Sequence, residues 1–302
     1  MSAPSAQDEP VDAPEGSPPH QYLAAENVVA AMAHTGRRRL ERLGVLRIVL
    51  LGILAGGFIT AGAAFSVLLV TGIEAPGLKA LLAGLGFSTG FFFVILSDAV
   101  LFTEANVVLP AVLLHRDGHV GRDGHVGRDG HVGRDGRIGR VARFWALAWV
   151  GNLAGALLFG SAIVWAQGFG PDFAAELGRF VDKKMAYAEA GTAVAWLRAV
   201  ASGVLANWLV GMAAFFSVMG RTIVGKYVPV FLAVSLFVAA NLQHSPANMG
   251  YFALANALGT GPGWAQALAW NILPAGLGNM LGGFALVAWP FWFVHRSAPA
   301  EA

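Results

Sequence analysis

One histidine lies inside a long apolar segment of the sequence, where an ionisable side chain is costly. His244 is the only one of the 8 histidines in such a segment, and it follows the polar residues Asn241 and Gln243. An ionisable group within a membrane span is functional by default. Because an imidazole exchanges a proton near neutral pH, it could neutralise a weak-acid anion crossing the membrane. The alternative is a buried histidine that only hydrogen-bonds a neighbouring helix.

Polar residues interrupt two apolar segments about halfway along each. The first interruption covers residues 98–106 and the second covers residues 241–248. In the second, Pro246 lacks a backbone donor and disfavours helical geometry at Ser245. Breaks of this kind survive in a membrane only where they line a cavity or are buried in protein, since lipid offers no hydrogen bonds. Two breaks at matching places in two halves predict a permeation site between them.

The elements that must position these residues are membrane-spanning helices. The chain has 302 residues, of which 56% are hydrophobic and 13% are charged, whereas soluble domains carry about 25% charged residues. This composition excludes a disordered chain, a nucleic-acid binder and a typical soluble enzyme. We predict an all-α membrane protein with six transmembrane helices, of which the second and fifth are interrupted. The predicted spans are residues 43–72, 77–114, 141–166, 191–219, 228–257 and 265–294.

The two halves of the chain share a sequence pattern. Residues 46–67 align without a gap with residues 197–218, and both contain LRxVxxGxLA followed by FSV. Residues 151–155 (GNLAG) and 278–282 (GNMLG) match more weakly. Since three spans separate each pair, the halves cross the membrane in opposite senses. The pattern therefore predicts a 3+3 inverted repeat, an architecture of transporters and channels.

Basic residues predict the topology and the domain organisation. Far more Lys and Arg residues fall on the side of the N-terminus than on the opposite side, so both termini are predicted to be cytoplasmic. We expect residues 1–40 to be a disordered cytoplasmic tail with a short amphipathic helix near residues 23–32. Residues 41–296 form the predicted transmembrane pore domain, and residues 297–302 form a C-terminal tail.

A tandem hexapeptide occupies the predicted cytoplasmic loop at residues 115–140. RDGHVG occurs three times in residues 116–133, and RDGRIG follows at residues 134–139. Histidines that recur beside Asp and Arg could bind a metal or respond to pH. Because glycine occupies every third position and loops tolerate insertions, we favour a flexible linker.

Four motifs, in order along residues 40–295, resemble those of the formate/nitrite transporter family. They are LFT with Asn106 in the first break, LANWLV at 205–210, HSxANM at 244–249, and NILP with GNMLGG between 271 and 283. The resemblance implies an aquaporin-like six-helix protomer in a homopentamer with one pore per protomer. It also implies passage of small monovalent weak-acid anions such as formate, nitrite and hydrosulfide, often with a proton.

The resemblance assigns roles to individual residues. His244 is implied to be the central histidine, Thr103 its partner on the first break, and Asn207 the asparagine that steadies the breaks. Phe87, Phe91 and Phe237 resemble an outer apolar slit, although packing against neighbouring helices is the simpler interpretation of such aromatics. The other implied pore residues are Leu101 and Phe102, as an inner slit, with Glu104 and Asn248 in the breaks.

One departure from the family concerns the outer vestibule. The family usually has a lysine sixteen residues before the span-4 asparagine, and this chain has Gly191 there. Arg198, two turns deeper, either replaces that lysine as an attractor of anions or is an interfacial arginine. If no cation replaces it, nearby acids such as Glu104 and Glu189 favour the alternative function, an ammonium or ammonia channel.

The sequence thus predicts a channel or proton-coupled transporter for a small anion in the bacterial cytoplasmic membrane. We expect its partners to be other copies of the chain, the permeating ion and membrane lipid, with no nucleic acid and no cofactor. HExxH does not occur and only one histidine lies within a predicted span, so no enzymatic activity is predicted.

Overall fold

A computed structural model describes residues 22–114 and 134–295, and these residues are almost entirely helical. In the described ranges, five helices are long and apolar enough to cross a membrane. Two interrupted pairs, α3 with α4 and α8 with α9, form the second and fifth crossings, which confirms the predicted fold class. The helices are α1 Ala25–Arg42, α2 Val45–Val70, α3 Pro76–Ser97, α4 Phe102–Leu114, α5 Arg134–Gln167, α6 Pro171–Ala190, α7 Ala193–Met219, α8 Ile223–Ala239, α9 Ser245–Ala257 and α10 Trp264–His295.

Local residue chemistry explains where the interrupted helices stop. Asp98, directly after α3, has a φ of 53°, and Asn241, just after α8, has a φ of 50°. Asp and Asn tolerate this left-handed conformation better than other non-glycine residues, because their short side chains can hydrogen-bond locally. Pro246 lies in the first turn of α9, where its missing N–H costs nothing.

The two halves pack in the same way. A Cβ atom added at Gly155 of α5 would lie 2.1 Å from the carbonyl oxygen of Ile53, and one added at Gly282 of α10 would lie 2.1 Å from that of Val204. Only glycine permits such an approach between helices. Ile53 and Val204 are equivalent positions of the sequence repeat, so the contacts α2–α5 and α7–α10 confirm the inverted repeat.

The expectation that residues 1–40 are disordered is wrong for residues 25–40, which belong to α1. This helix is longer than the predicted segment at 23–32, and its apolar face packs against α4 and α7. The composition of residues 25–40 does not reveal α1, because the residues of α4 and α7 that stabilise this helix lie far along the chain. Residues 1–21 and the C-terminal tail at 297–302 lie outside the described residues.

The linker prediction for residues 115–140 is wrong at its C-terminal end. α5 begins at Arg134, so the last hexapeptide copy, RDGRIG, is helical and continues into the third span. The other three copies and their histidines lie outside the described residues.

An amphipathic helix that was not predicted, α6, connects the third and fourth spans. Its buried residues include Phe173, Leu177 and Val181, and it contacts α7, α9 and α10. This helix covers one end of the second break.

Candidate functional site

The two breaks meet inside the bundle. Thr103, in the first turn of α4, lies beside His244, the residue that precedes α9. The distance from Thr103 Oγ1 to His244 Nε2 is 2.8 Å, and both side chains are fully buried. The structure thus brings together the two residues that were expected to be partners, and it directs the imidazole toward protein rather than lipid.

Hydrogen bonds fix which ring nitrogen of His244 carries the proton. The backbone N–H of Ala247 donates to Nδ1 at 3.2 Å, so His244 caps the N-terminus of α9. Since Nδ1 accepts, Nε2 carries the hydrogen of the neutral ring and donates it to Thr103 Oγ1. The Thr103 hydroxyl keeps its own hydrogen for another acceptor. The pair therefore offers a hydrogen-bond donor, which suits the oxygen of an anion.

An asparagine of α5 holds the first break. Asn152 accepts a hydrogen bond from the backbone N–H of Phe102 at 2.9 Å. Its Nδ2 donates to the carbonyl oxygens of Gly52 and Val100, both at 2.9 Å. This buried amide thereby satisfies two backbone groups of the break, which lack helical partners, and links them to α2.

An equivalent asparagine of α10 holds the second break. Asn279 accepts from the backbone N–H of Ser245 at 2.9 Å and donates to the carbonyl oxygens of Gly203 and Gln243. The partners correspond one to one between the halves. The sequence match between GNLAG and GNMLG was the signal for this pair, although neither asparagine was predicted as a site residue.

Two further predicted residues, Asn207 and Asn248, lie against the breaks. Asn207 Nδ2 donates to the carbonyl oxygens of Thr103 at 3.2 Å and Asn279 at 2.6 Å, so it links the first break to the asparagine that holds the second. Asn248 Nδ2 donates to Asn271 Oδ1 at 2.6 Å, within a buried amide network behind the second break.

Aromatic rings cover one side of His244. The ring centroid of Phe237 is 5.4 Å from that of His244 and 5.5 Å from that of Phe87. Phe91 is buried in the same apolar cluster. Tyr251, which was not predicted, stacks with Phe87 at 6.1 Å. Of the three predicted phenylalanines, Phe237 therefore lies beside the imidazole, Phe87 packs against Phe237, and Phe91 belongs to the same apolar cluster.

Leu101 and Phe102, which were predicted to form an inner slit, pack in two different apolar clusters. Leu101 belongs to the cluster that contains Phe87 and Phe91. Phe102 belongs to a second cluster, which includes Phe144 of α5. Consecutive side chains at the start of α4 thus face different neighbours.

Glu104 forms an ion pair with α1. Arg39 donates to Glu104 Oε2 and to Asp98 Oδ1, each at 2.6 Å, and both Arg39 and Glu104 are buried. Burial acts to lower the pKa of Arg39, but the carboxylates of Glu104 and Asp98 outweigh it and raise the pKa above its ordinary value. Arg39 therefore joins the residue directly after one half-helix to the first turn of the next.

Comparison with known proteins identifies the family. A family model described as "Formate/nitrite transporter" matches residues 26–293. The chain belongs to the formate/nitrite transporter family. The match covers α1 as well as the six crossings, so the N-terminal helix is part of the family region.

Relatives and solved structures agree with this assignment. The "Probable formate transporter" of Methanothermobacter thermautotrophicus is 25% identical over 268 residues, covering 84% of this chain and 91% of the relative. The "Formate channel FocA" of Escherichia coli is 27% identical over 270 residues, covering 83% and 87%. A solved structure described as "Pentameric formate channel with formate bound" has a TM-score of 0.66 at 22% identity, and the match covers 84% of this chain and 98% of that one. This structure shows the shared fold.

Two residues considered for the family's outer vestibule do not reach the site. Gly191 follows α6 with a φ of 59°, a conformation that favours glycine, and a Cβ there would meet only the carbonyl oxygen of Ala188 at 3.8 Å. Arg198 is exposed on α7, whereas its neighbours Ala195 and Ala199 face the interior. Arg198 therefore does not face His244.

The cation near the site is Lys184, which was not predicted. It is 5% exposed on the buried face of α6, and its Nζ lies 5.4 Å from the centroid of the Tyr251 ring. The ammonium is close enough to interact electrostatically with His244. The helical spacing of Leu177, Val181 and Lys184 is the sequence signal that would have placed it on the buried face.

Proposed function

We propose that this protein is a channel or transporter for small monovalent weak-acid anions such as formate or nitrite, and that they pass between Thr103 and His244. The observation that carries the proposal is the buried hydrogen bond between these residues, where two half-helices meet. Their donors suit the oxygen of one small anion, and the surrounding Phe rings disfavour larger hydrated ions. Family membership and the formate named for the relatives support the same substrate class.

The distribution of charge favours an anion over ammonium. Glu104 and Asp98 are both engaged by Arg39, and Glu189 is exposed. Lys184 has no carboxylate partner among the residues that the structure describes. A buried cation that acts electrostatically on the imidazole attracts an anion and repels ammonium. Lys184 thus takes the place of the vestibule lysine that the family usually carries at the position of Gly191.

The assembly that we propose is a homopentamer in the bacterial cytoplasmic membrane, with both termini cytoplasmic. The solved neighbour described as pentameric supports the assembly. Exposed leucines such as Leu46, Leu232 and Leu236 give the helices apolar surfaces that lipid or neighbouring protomers would cover. We propose that no cofactor or covalent step takes part in transport.

Proton coupling is a separate part of the proposal. If the ring of His244 takes up a proton at Nδ1, it must release the N–H of Ala247, so protonation is linked to a change at the start of α9. Coupled transport of formate should acidify the interior of formate-free liposomes, as measured with an enclosed pH dye. Formate uptake without acidification would contradict the coupling and leave the anion path intact.

Flux through the reconstituted protein tests the proposed function. Liposomes that contain the full chain should take up formate and nitrite far faster than empty liposomes, and ammonium should enter no faster than in the controls. We suggest measurements with formate, nitrite, hydrosulfide and ammonium at pH 6 and pH 8. Uptake of ammonium without uptake of any anion would contradict the proposal.

Replacing Lys184 by glutamine is expected to lower formate uptake about tenfold at pH 6, equivalent to ~1.4 kcal/mol of lost attraction. Burial lowers the pKa of Lys184 to about 7, so the ammonium is charged at pH 6 and largely neutral at pH 8. The difference between wild type and Lys184→Gln should therefore shrink as the pH rises. Lys184→Arg, which stays charged, should keep the attraction at pH 8.

The matched control is Lys183→Gln, because Lys183 is the exposed neighbour on the same helix. It should leave formate uptake unchanged at both pH values. Equal losses for the two glutamine variants would show that Lys184 does not act on the permeating anion.

A further inference from the structure

The side chain of Asn106 has no hydrogen-bond partner. It is fully buried in α4, yet neither Oδ1 nor Nδ2 is paired within the part of the chain that the structure describes. Asn207 Oδ1 is also unpaired there. Buried amide groups nearly always find a partner, since an unpaired one destabilises the fold. Two such groups in one region indicate a partner that is not part of the protein.

The two asparagines both lie directly beside Gly283 of α10. A Cβ atom added at Gly283 would lie 2.7 Å from Asn207 Nδ2 and 3.1 Å from Asn106 Cβ, so any larger residue would press against both asparagines. Thr103 lies three positions before Asn106 on the same helix, which places both on one face. Asn106 is therefore adjacent to the residue proposed to contact the permeating anion.

We infer that Asn106 and Asn207 form a second hydrogen-bonding site for the permeating anion, one helical turn beyond Thr103. This inference rests on the proposed function. The amide Nδ2 of Asn106 would donate to an oxygen of the anion. The two unpaired Oδ1 atoms would accept from its protonated acid or from an accompanying water.

The position of this site would let it receive the permeating anion from Thr103. One helical turn is about 5.4 Å, close enough for a small anion to leave the Thr103 hydroxyl as it reaches Asn106. α4 then continues to Leu114, next to the hexapeptide loop on the proposed cytoplasmic side. The site would replace part of the hydration that the anion loses at the aromatic rings.

The variant Asn106→Leu tests whether the unpaired amide of Asn106 binds the anion or is only a structural feature. Leucine has a similar size and no polar atoms, so it removes the hydrogen bonds and keeps the volume. We expect formate flux in liposomes to fall about ten- to a hundredfold, as for loss of a hydrogen bond to a charged group. The formate concentration that gives half-maximal flux should rise. The pentamer should persist in size-exclusion chromatography.

Asn106→Asp provides a second variant with almost unchanged shape. At pH 7.5 its carboxylate should repel the anion and reduce flux. At pH 5, protonation should restore part of the flux relative to wild type. Asn256→Leu, at a half-buried asparagine of α9, is the control and should leave formate flux unchanged.

The possible results overturn different statements. If wild type conducts formate and Asn106→Leu conducts it equally well, the second site is wrong while the proposed function stands. If Asn106→Leu loses the pentamer, the pH response of Asn106→Asp decides, and a response equal to that of wild type refutes the site. If wild type conducts no anion, the proposed function is wrong and the site is refuted with it.

Discussion

Replacing His244 by alanine is expected to reduce formate flux by about a hundredfold, comparable to the loss of one donor from an oxyanion-binding site. The substitution removes the Nε2–H that orients the Thr103 hydroxyl. It also removes the acceptor that caps α9, which costs ~1 kcal/mol of stability. Flux in liposomes and the unfolding temperature in detergent measure the two effects separately.

His244→Asn distinguishes the cap from the pore function. Asparagine is among the best N-cap residues, so it should restore most of the stability lost in the alanine variant. Its shorter side chain is not expected to replace the Nε2 contact with Thr103, so flux should stay low. Wild-type flux in His244→Asn would mean that the histidine serves only as a helix cap.

Arg39→Gln is expected to destabilise the protein by ~3–5 kcal/mol, because it leaves the buried carboxylate of Glu104 without its positive partner. The unfolding temperature in detergent should fall clearly. The double variant Arg39→Gln with Glu104→Gln should recover part of the loss, since it buries no unpaired charge.

Arg38→Gln is the matched control for this ion pair. Arg38 is half-exposed and lies 3.6 Å from Asp98, so its contribution should not exceed ~1 kcal/mol. If Arg39→Gln and Arg38→Gln lower the unfolding temperature equally, α1 is not tied to the first break by a buried charge pair.

The breaks were predictable from a local signal, and the repeat was predictable from a pattern that the two halves share. Pro246 and the run of polar residues around it interrupt a long apolar segment. In a membrane, such backbone can only line a cavity or be buried in protein, because lipid offers no hydrogen bonds. The contact between Thr103 and His244 was predictable only through the family resemblance. These residues are 141 positions apart, and no local pattern joins them.

The remaining features depend on contacts between distant segments. α1 is stable because its apolar face and Arg39 find partners on other helices, which composition does not reveal. Lys184 lies between two predicted spans, in a segment whose amphipathic pattern was not recognised. The unpaired Asn106 can be seen only once its neighbours are known. Polar interruptions of apolar segments therefore located the breaks, whereas the charges around them required the structure.

A single cysteine at position 103 decides whether solutes pass between Thr103 and His244. The chain contains no cysteine, so Thr103→Cys carries one thiol in an unreactive background. Mercuric chloride, a small neutral thiol reagent, should block formate flux through this variant, and excess formate should slow the block. Wild type and Leu236→Cys, at an exposed apolar position of α8, should stay active. A Thr103→Cys protein that is blocked no faster than Leu236→Cys, or at a rate that formate does not change, would contradict a path through this site.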